Sequence, residues 1–198
     1  MDSKKKIIVS VSAFIVVVMA TVVAIVSVLA ATNVRMSAGI SVTYNVGDNV
    51  MLDVCVYTGV VEKNVTAAEF VDVSYTMDDG SIGYGNALDE LTLNLPATTI
   101  TATQYLVVRF EFYNVSAESY FDAELQVTSD SRLTCKYAEN PFSGGAGGTL
   151  SLNSSATKLT CPSEEPINYY VFIEATDPRT GFEETLYFDW DITGHANP

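Results

Sequence analysis

The chain has 198 residues, with 24 acidic side chains against 10 basic ones and a formal charge of −14 at neutral pH. A surface of that sign repels nucleic acid and anionic lipid, so neither is expected as a partner. A single histidine, His195, and three cysteines without Cys-x-x-Cys spacing leave little for zinc or nucleophilic catalysis to use.

The chain opens on Lys4, Lys5 and Lys6, followed by an uncharged run from Ile7 to Ala31. The run is longer than most signal-peptide cores and long enough to span a bilayer as a helix. Two readings stand. Val28-Leu29-Ala30 presents the small residues that signal peptidase prefers, with cleavage before Ala31. Retention would instead make residues 7–31 a membrane anchor, although Ser10, Ser12, Thr21 and Ser27 make it more polar than a dedicated one. In both, the leading lysines stay in the cytoplasm and the body is exported to the cell surface or beyond. The expected division is a leader over 1–30 and one extracellular domain over 31–198, which keeps seven basic and 23 acidic residues, a net of −16.

Past residue 32 the pattern is period-two alternation. "ISVTYNV", "VMLDVCVYTGV", "EFVDVSYTM" and "ELTLNL" are β-branched and aromatic runs punctuated by Gly, Asn, Asp and Pro. In "TQYLVVRFEFYN", Leu106, Val108, Phe110 and Phe112 share one face, and Tyr105, Val107, Arg109, Glu111 and Tyr113 the other. After "NVSAES", the run "YFDAELQVTSD" sets Phe121, Ala123, Leu125 and Val127 against Tyr120, Asp122, Glu124 and Gln126. Two alternating runs with a short polar link predict an antiparallel hairpin, with Arg109 opposite Asp122 or Glu124 on its wet face. "INYYVFIEAT" and "ETLYFDWDI" follow; the latter places Leu186, Phe188, Trp190 and Ile192 on one side, so Trp190 is read as core. No segment carries an amphipathic helical stripe. About nine or ten short strands with one apolar face each predict an all-β fold, a single antiparallel β-sandwich of jelly-roll type.

Several segments invite a sharper reading. "MDDGSIGYGN", with Asp78 and Asp79, is the best candidate loop for Ca²⁺, though it lacks the alternating acidic spacing of an EF-hand. No other cofactor is implied. Cys135 and Cys161 bracket a long loop that a disulfide would close in an oxidising compartment, leaving Cys55 over; with an odd count the pairing stays open. "NPFSGGAGGTLSLNSS" reads as a mobile excursion, and its glycines lack the Lys-Ser/Thr and the helix of a phosphate cradle. "TGHANP" reads as a frayed tail, which leaves His195 without rigid support for catalysis. The adjacent acidic pairs Asp89-Glu90, Glu164-Glu165 and Glu183-Glu184 point to opposite faces in a strand, so they do not suit a glycosidase pair. No enzymatic activity is expected. Asn64, Asn114 and Asn153 begin glycosylation sequons. Tyrosines on a polar face can stack on sugars, but they are also favourable strand residues.

Three features together resemble the TasA/camelysin-like exported proteins of Gram-positive bacteria and their archaeal pilus-forming relatives. They are the lysine-rich apolar leader, the early strand "AGISVTYNV" directly after it, and the central run "LDELTLNLPATTITATQYLVVRFEFYNVSAESYFDAELQVTSD". The resemblance covers about half the chain. It implies a jelly-roll-like sandwich that self-associates into extracellular fibres or a biofilm matrix, one subunit's N-terminal strand completing the next subunit's sheet. The donor would be "ATNVRMSAGISVTY", in which Val34, Met36, Ile40, Val42 and Tyr44 fall on even positions and can share one face. The same residues also suit an ordinary first strand. The metalloprotease activity associated with camelysin-like members has no matching ligand set here. The competing expectation is a surface-displayed binding module, an adhesin dependent on carbohydrate or calcium.

Overall fold

The computed structural model describes residues 34–45, 52–82, 90–115, 117–142, 148–162, 165–176 and 182–196, of which 40–45, 76–82 and 90–96 are described by backbone pairing alone. The leader over 1–30 lies outside the described residues. Among the described residues no helix is long and apolar enough to cross a membrane.

The alternating runs become strands, and the strands form two five-stranded sheets packed face to face. The first sheet holds, in spatial order, β4 (Glu90–Ile100), β1 (Val34–Asn45), β10 (Glu183–Ala196), β6 (Ser119–Thr128) and β8 (Leu159–Cys161). The second holds β3 (Thr76–Ile82), β2 (Leu52–Glu62), β5 (Gln104–Asn114), β9 (Pro166–Ala175) and β7 (Leu133–Ala138). Among the described residues every strand pairing is antiparallel except one: β1 runs parallel to β10, in register from Arg35–Glu183 to Asn45–Thr193. The expected antiparallel sandwich therefore holds as a sandwich, with one parallel seam.

The core is made by the faces that alternation marks. Leu106, Val108, Phe110 and Phe112 on β5 and Leu186, Phe188, Trp190 and Ile192 on β10 are all buried. Trp190 is the centre of this layer. Its ring meets Phe112, Phe110 and Tyr169 edge-on at 4.8, 5.2 and 5.5 Å between centroids, an arrangement that aromatic quadrupoles favour. Burying large side chains of this kind contributes about 1.5–3 kcal/mol each, which makes the layer the main source of stability.

The expected hairpin does not form. β5 pairs with β2 and β9, while β6 pairs with β10 and β8 in the opposite sheet. The link between them arches across the sandwich rather than turning within one sheet. Asn114 closes the arch: it is fully buried, and its Nδ2 donates to the Ser119 carbonyl at 2.7 Å. A buried amide tied in this way is no glycan acceptor, in contrast to the exposed Asn64 and Asn153. Arg109, in the second sheet, does not face Asp122 or Glu124. Its guanidinium lies over Tyr57 at 4.1 Å and Tyr75 at 5.1 Å, with Glu111 at 3.9 Å.

Two of the five residues on the supposed wet face of β5 are dry. Tyr105 and Val107 are buried with Val61, Phe70 and Phe172 in a second apolar cluster on the outer side of the second sheet. A short helix, α1 (Ala67–Val71), carries Phe70 into it. Thr66 and Glu69 start the helix as a reciprocal capping box, the Thr66 backbone N–H donating to Glu69 Oε2 at 2.9 Å. Phe70 then meets Tyr75, Phe142, Tyr170 and Phe172 at 5.2–6.0 Å. Phe142, Leu150 and Leu152 also pack there, so the flanks of the Gly/Ser excursion are anchored. Tyr137 and Asn153 exchange backbone hydrogen bonds of 2.9 and 2.8 Å.

Candidate functional site

The first strand sits in the interior of its sheet, held by β4 on one side and β10 on the other. Val34 and Met36 are fully buried and Ala38 nearly so, while Arg35 is exposed. The backbone register carries the same alternation onward: Ile40, Val42 and Tyr44 stand beside Phe188, Trp190 and Ile192 of β10. The side chains of Ile40, Val42 and Tyr44 lie outside the described residues. All five residues expected to form a donor strand thus fall on one continuous strand, inserted in its own chain.

Each outer strand of the sandwich is blunted. On β4 the ladder slips between Met36 and Ala38, where Pro96 and Ala97 stand opposite Ser37 alone. Proline lacks the N–H that a further strand would need, and a bulge turns the edge away from pairing. β8 is only three residues long. On β3 the pairing with β2 slips where Asp78, Asp79 and Gly80 face Val56 alone. The tip of β7 is covered by the Tyr137–Asn153 bridge.

The seam between β1 and β10 opens outward as a groove of about 460 Å³. Small residues make its floor: Ser37 and Ala97 leave the outer face low, and the Ser37 and Thr185 hydroxyls meet at 3.0 Å. Tyr187, a residue 54% exposed, makes one wall. Arg35 Nη1 reaches Glu183 Oε1 at 3.2 Å at the other end. Glu184 also lines the groove and is held by Arg132 Nη2 at 2.9 Å. Arg132 is fixed in turn by Asp130 at 2.9 Å and rests on Phe182 at 4.2 Å.

A second polar cluster lies across β6 and β10. The expected frayed tail is the end of β10, and His195 pairs in register with Tyr120. Its ring stacks on Tyr120 at 4.8 Å, and its Nε2 lies 3.0 Å from Asp122 Oδ2. Asp122 also takes Lys158 Nζ at 2.9 Å and the Thr160 hydroxyl at 2.8 Å. Burial raises the Asp122 carboxyl, but the hydrogen bonds from Lys158 and Thr160 and the nearby positive charge outweigh it and hold the pKa below the usual carboxylate range. Glu174 behaves alike: burial raises it, and Lys136 and Lys63, both bridged to it, bring it lower.

The remaining sequence candidates are not brought together. Asp78 and Asp79 lie on β3 rather than in a loop, and their side chains lie outside the described residues. Among the described residues no group of three or more His, Cys, Asp or Glu is arranged to hold a metal ion. Cys135 on β7 and Cys161 on β8 sit in opposite sheets as free thiols, as does the half-buried Cys55 on β2. Burial pushes Cys135 up to about 11 and Cys161 up to about 12, so both are protonated at neutral pH.

No protein-family model and no curated protein matches the sequence. Among solved structures, the yeast delta-COP-I mu-homology domain aligns over 82% of this chain and 97% of its own, at 7% identity and a TM-score of 0.18. The same domain complexed with a Dsl1 WxWxV peptide aligns at 7% identity and 0.17. The Fcho1 mu homology domain of Danio rerio with a bound Eps15 peptide aligns over 82% of this chain and 96% of its own, at 8% and 0.17. TM-scores this low carry no weight for fold or function.

Proposed function

We propose that the chain is a structural protein of the cell exterior, a secreted or surface-tethered subunit of a fibre or matrix that assembles by exchanging β1 between copies. The observation that carries this reading is the placing of β1 inside its sheet, in a sandwich whose outer strands are blunted in both sheets. Simple edge-to-edge addition is disfavoured at each edge. Exchange of β1 is not, because an incoming strand restores the same ladders to β4 and β10 and the same apolar residues to the core. The TasA/camelysin-like resemblance of the leader, first strand and central run supports the same reading. Self-repulsion at −14 opposes association, so acid and salt both favour it.

A reversible lock tests this. Ser37 and Thr185 face each other across the seam with their oxygens 3.0 Å apart, so cysteines in their place bring two sulfurs within reach of a bond. The oxidised S37C/T185C protein is expected to stay monomeric under conditions where the reduced form polymerises, as followed by light scattering and electron microscopy. Equal polymerisation of both forms refutes strand exchange. A wild-type protein that stays monomeric at high concentration in acid and salt refutes the fibre reading itself.

A further inference from the structure

We propose that the groove on the outer face of the β1–β10 seam is a binding site for a neutral saccharide. This goes beyond the assembly reading and stands whether or not the chain polymerises. The groove is shallow and open, and its volume of about 460 Å³ falls in the ordinary range for small-ligand sites. Its shape follows from residue size. Ser37 and Ala97 set a low floor between Tyr187 and Arg35, so a flat ligand can lie along the strands with one face on the tyrosine ring.

The lining selects the ligand class. An apolar molecule would desolvate two hydroxyls and an ion pair without replacing their hydrogen bonds, which is unfavourable. Formal charge is already matched: Glu183 is paired with Arg35, and Glu184 with Arg132. An anion would meet two carboxylates, and a cation would meet the Arg35 guanidinium and carboxylates that arginines already engage. A polyhydroxyl ring fits what is left. Its C–H face can pack on the ring of the exposed Tyr187. Its hydroxyls can donate to Glu183 and accept from Arg35, and do either with Ser37 and Thr185. Both β1 and β10 contribute, so a bound saccharide also bridges the seam.

The test is a titration of the ¹⁵N-labelled domain with neutral trisaccharides built from glucose, N-acetylglucosamine and galactose, at millimolar concentration. Saturable shifts confined to residues 35–39 and 183–187 are expected for at least one of them. Tyr187→Ala should weaken that binding about tenfold or more. Tyr187→Phe, which keeps the ring, should retain most of it, and this variant keeps the test open if the alanine form folds poorly by circular dichroism. Absence of shifts with the whole panel overturns the proposal. So do shifts centred elsewhere, or an alanine variant that is folded and binds as the wild type does.

Discussion

Consider truncation of Met36, the largest fully buried side chain among the described residues of β1. It is fully buried in the main core, and removing such a side chain to alanine costs about 2–5 kcal/mol. Ile173 on β9 is a matched control: also fully buried in that core, in the same cost range, but on the other sheet. If strand exchange begins with release of β1 from an otherwise folded sandwich, the two variants part company. A loss of about 2–3 kcal/mol in β1 docking raises the released population about 30- to 150-fold. Met36→Ala should then shorten the lag of polymerisation and deprotect those alternate amides of 183–193 on β10 that point toward β1, while the amides that point toward β6 keep their partner. Ile173→Ala, at equal loss of stability in urea, should leave both near wild type. The polymer of Met36→Ala should also dissolve more readily, since the same cavity is carried into every exchanged sheet. Hydrogen exchange by mass spectrometry and light scattering read these directly. If the two variants accelerate assembly equally at matched stability, assembly runs through global unfolding and the β1 argument fails.

Other outcomes follow from the polar clusters and the buried groups. The Asp122 and Glu174 carboxyls titrate lower in the folded state than in the unfolded one. Their contribution is therefore full above the ordinary carboxylate range and is lost as pH falls through the lowered values. Asp122→Asn should cost about 1 kcal/mol at neutral pH and flatten the acid limb of a thermal-melting series; an unchanged limb would mean that the cluster is idle. Asn114→Ala removes the hydrogen bond from Nδ2 to the Ser119 carbonyl and should cost about 1–3 kcal/mol in chemical denaturation. A loss below a few tenths would show that the arch does not need it. Cys161, buried and raised to about 12, should react with a disulfide reagent at pH 8 only after denaturant is added, and the half-buried Cys135, raised to about 11, should react slowly before it; rapid native labelling of Cys161 would contradict its burial.

Much of this fold is readable because alternation is the imprint of burial. The faces led by Leu106, Phe121 and Leu186 are core for the reason the pattern suggests. What alternation cannot carry is partnership. The runs around Phe110 and Phe121 look like a hairpin, since two strands lining one core from opposite sheets read the same as two strands side by side. Asn114, a polar residue at the join, is where the difference lies, and its role depends on a carbonyl five residues on. His195 reads as tail because its order comes from Tyr120 and Asp122, far back in the chain. Two local signals were available. Tyr105 and Val107 on a supposedly wet face announce a covering layer, and Thr66-Ala67-Ala68-Glu69 spells the capping box of the helix that supplies it. The groove left no such trace, because it arises from small residues on three strands meeting only in register.

The parallel seam also governs when the molecule can take shape. β10 is the middle strand of its sheet, and it alone joins the β4–β1 pair to the β6–β8 pair. A chain emerging from the ribosome or threading through a pore has no way to unite those halves until residues 183–196 have arrived. Completion must wait for contacts that span most of the polypeptide, the slowest kind to form. Until then Val34 and Met36 lack one flank of their sheet, and under the strand-exchange proposal a neighbour's β10 competes with their own to supply it.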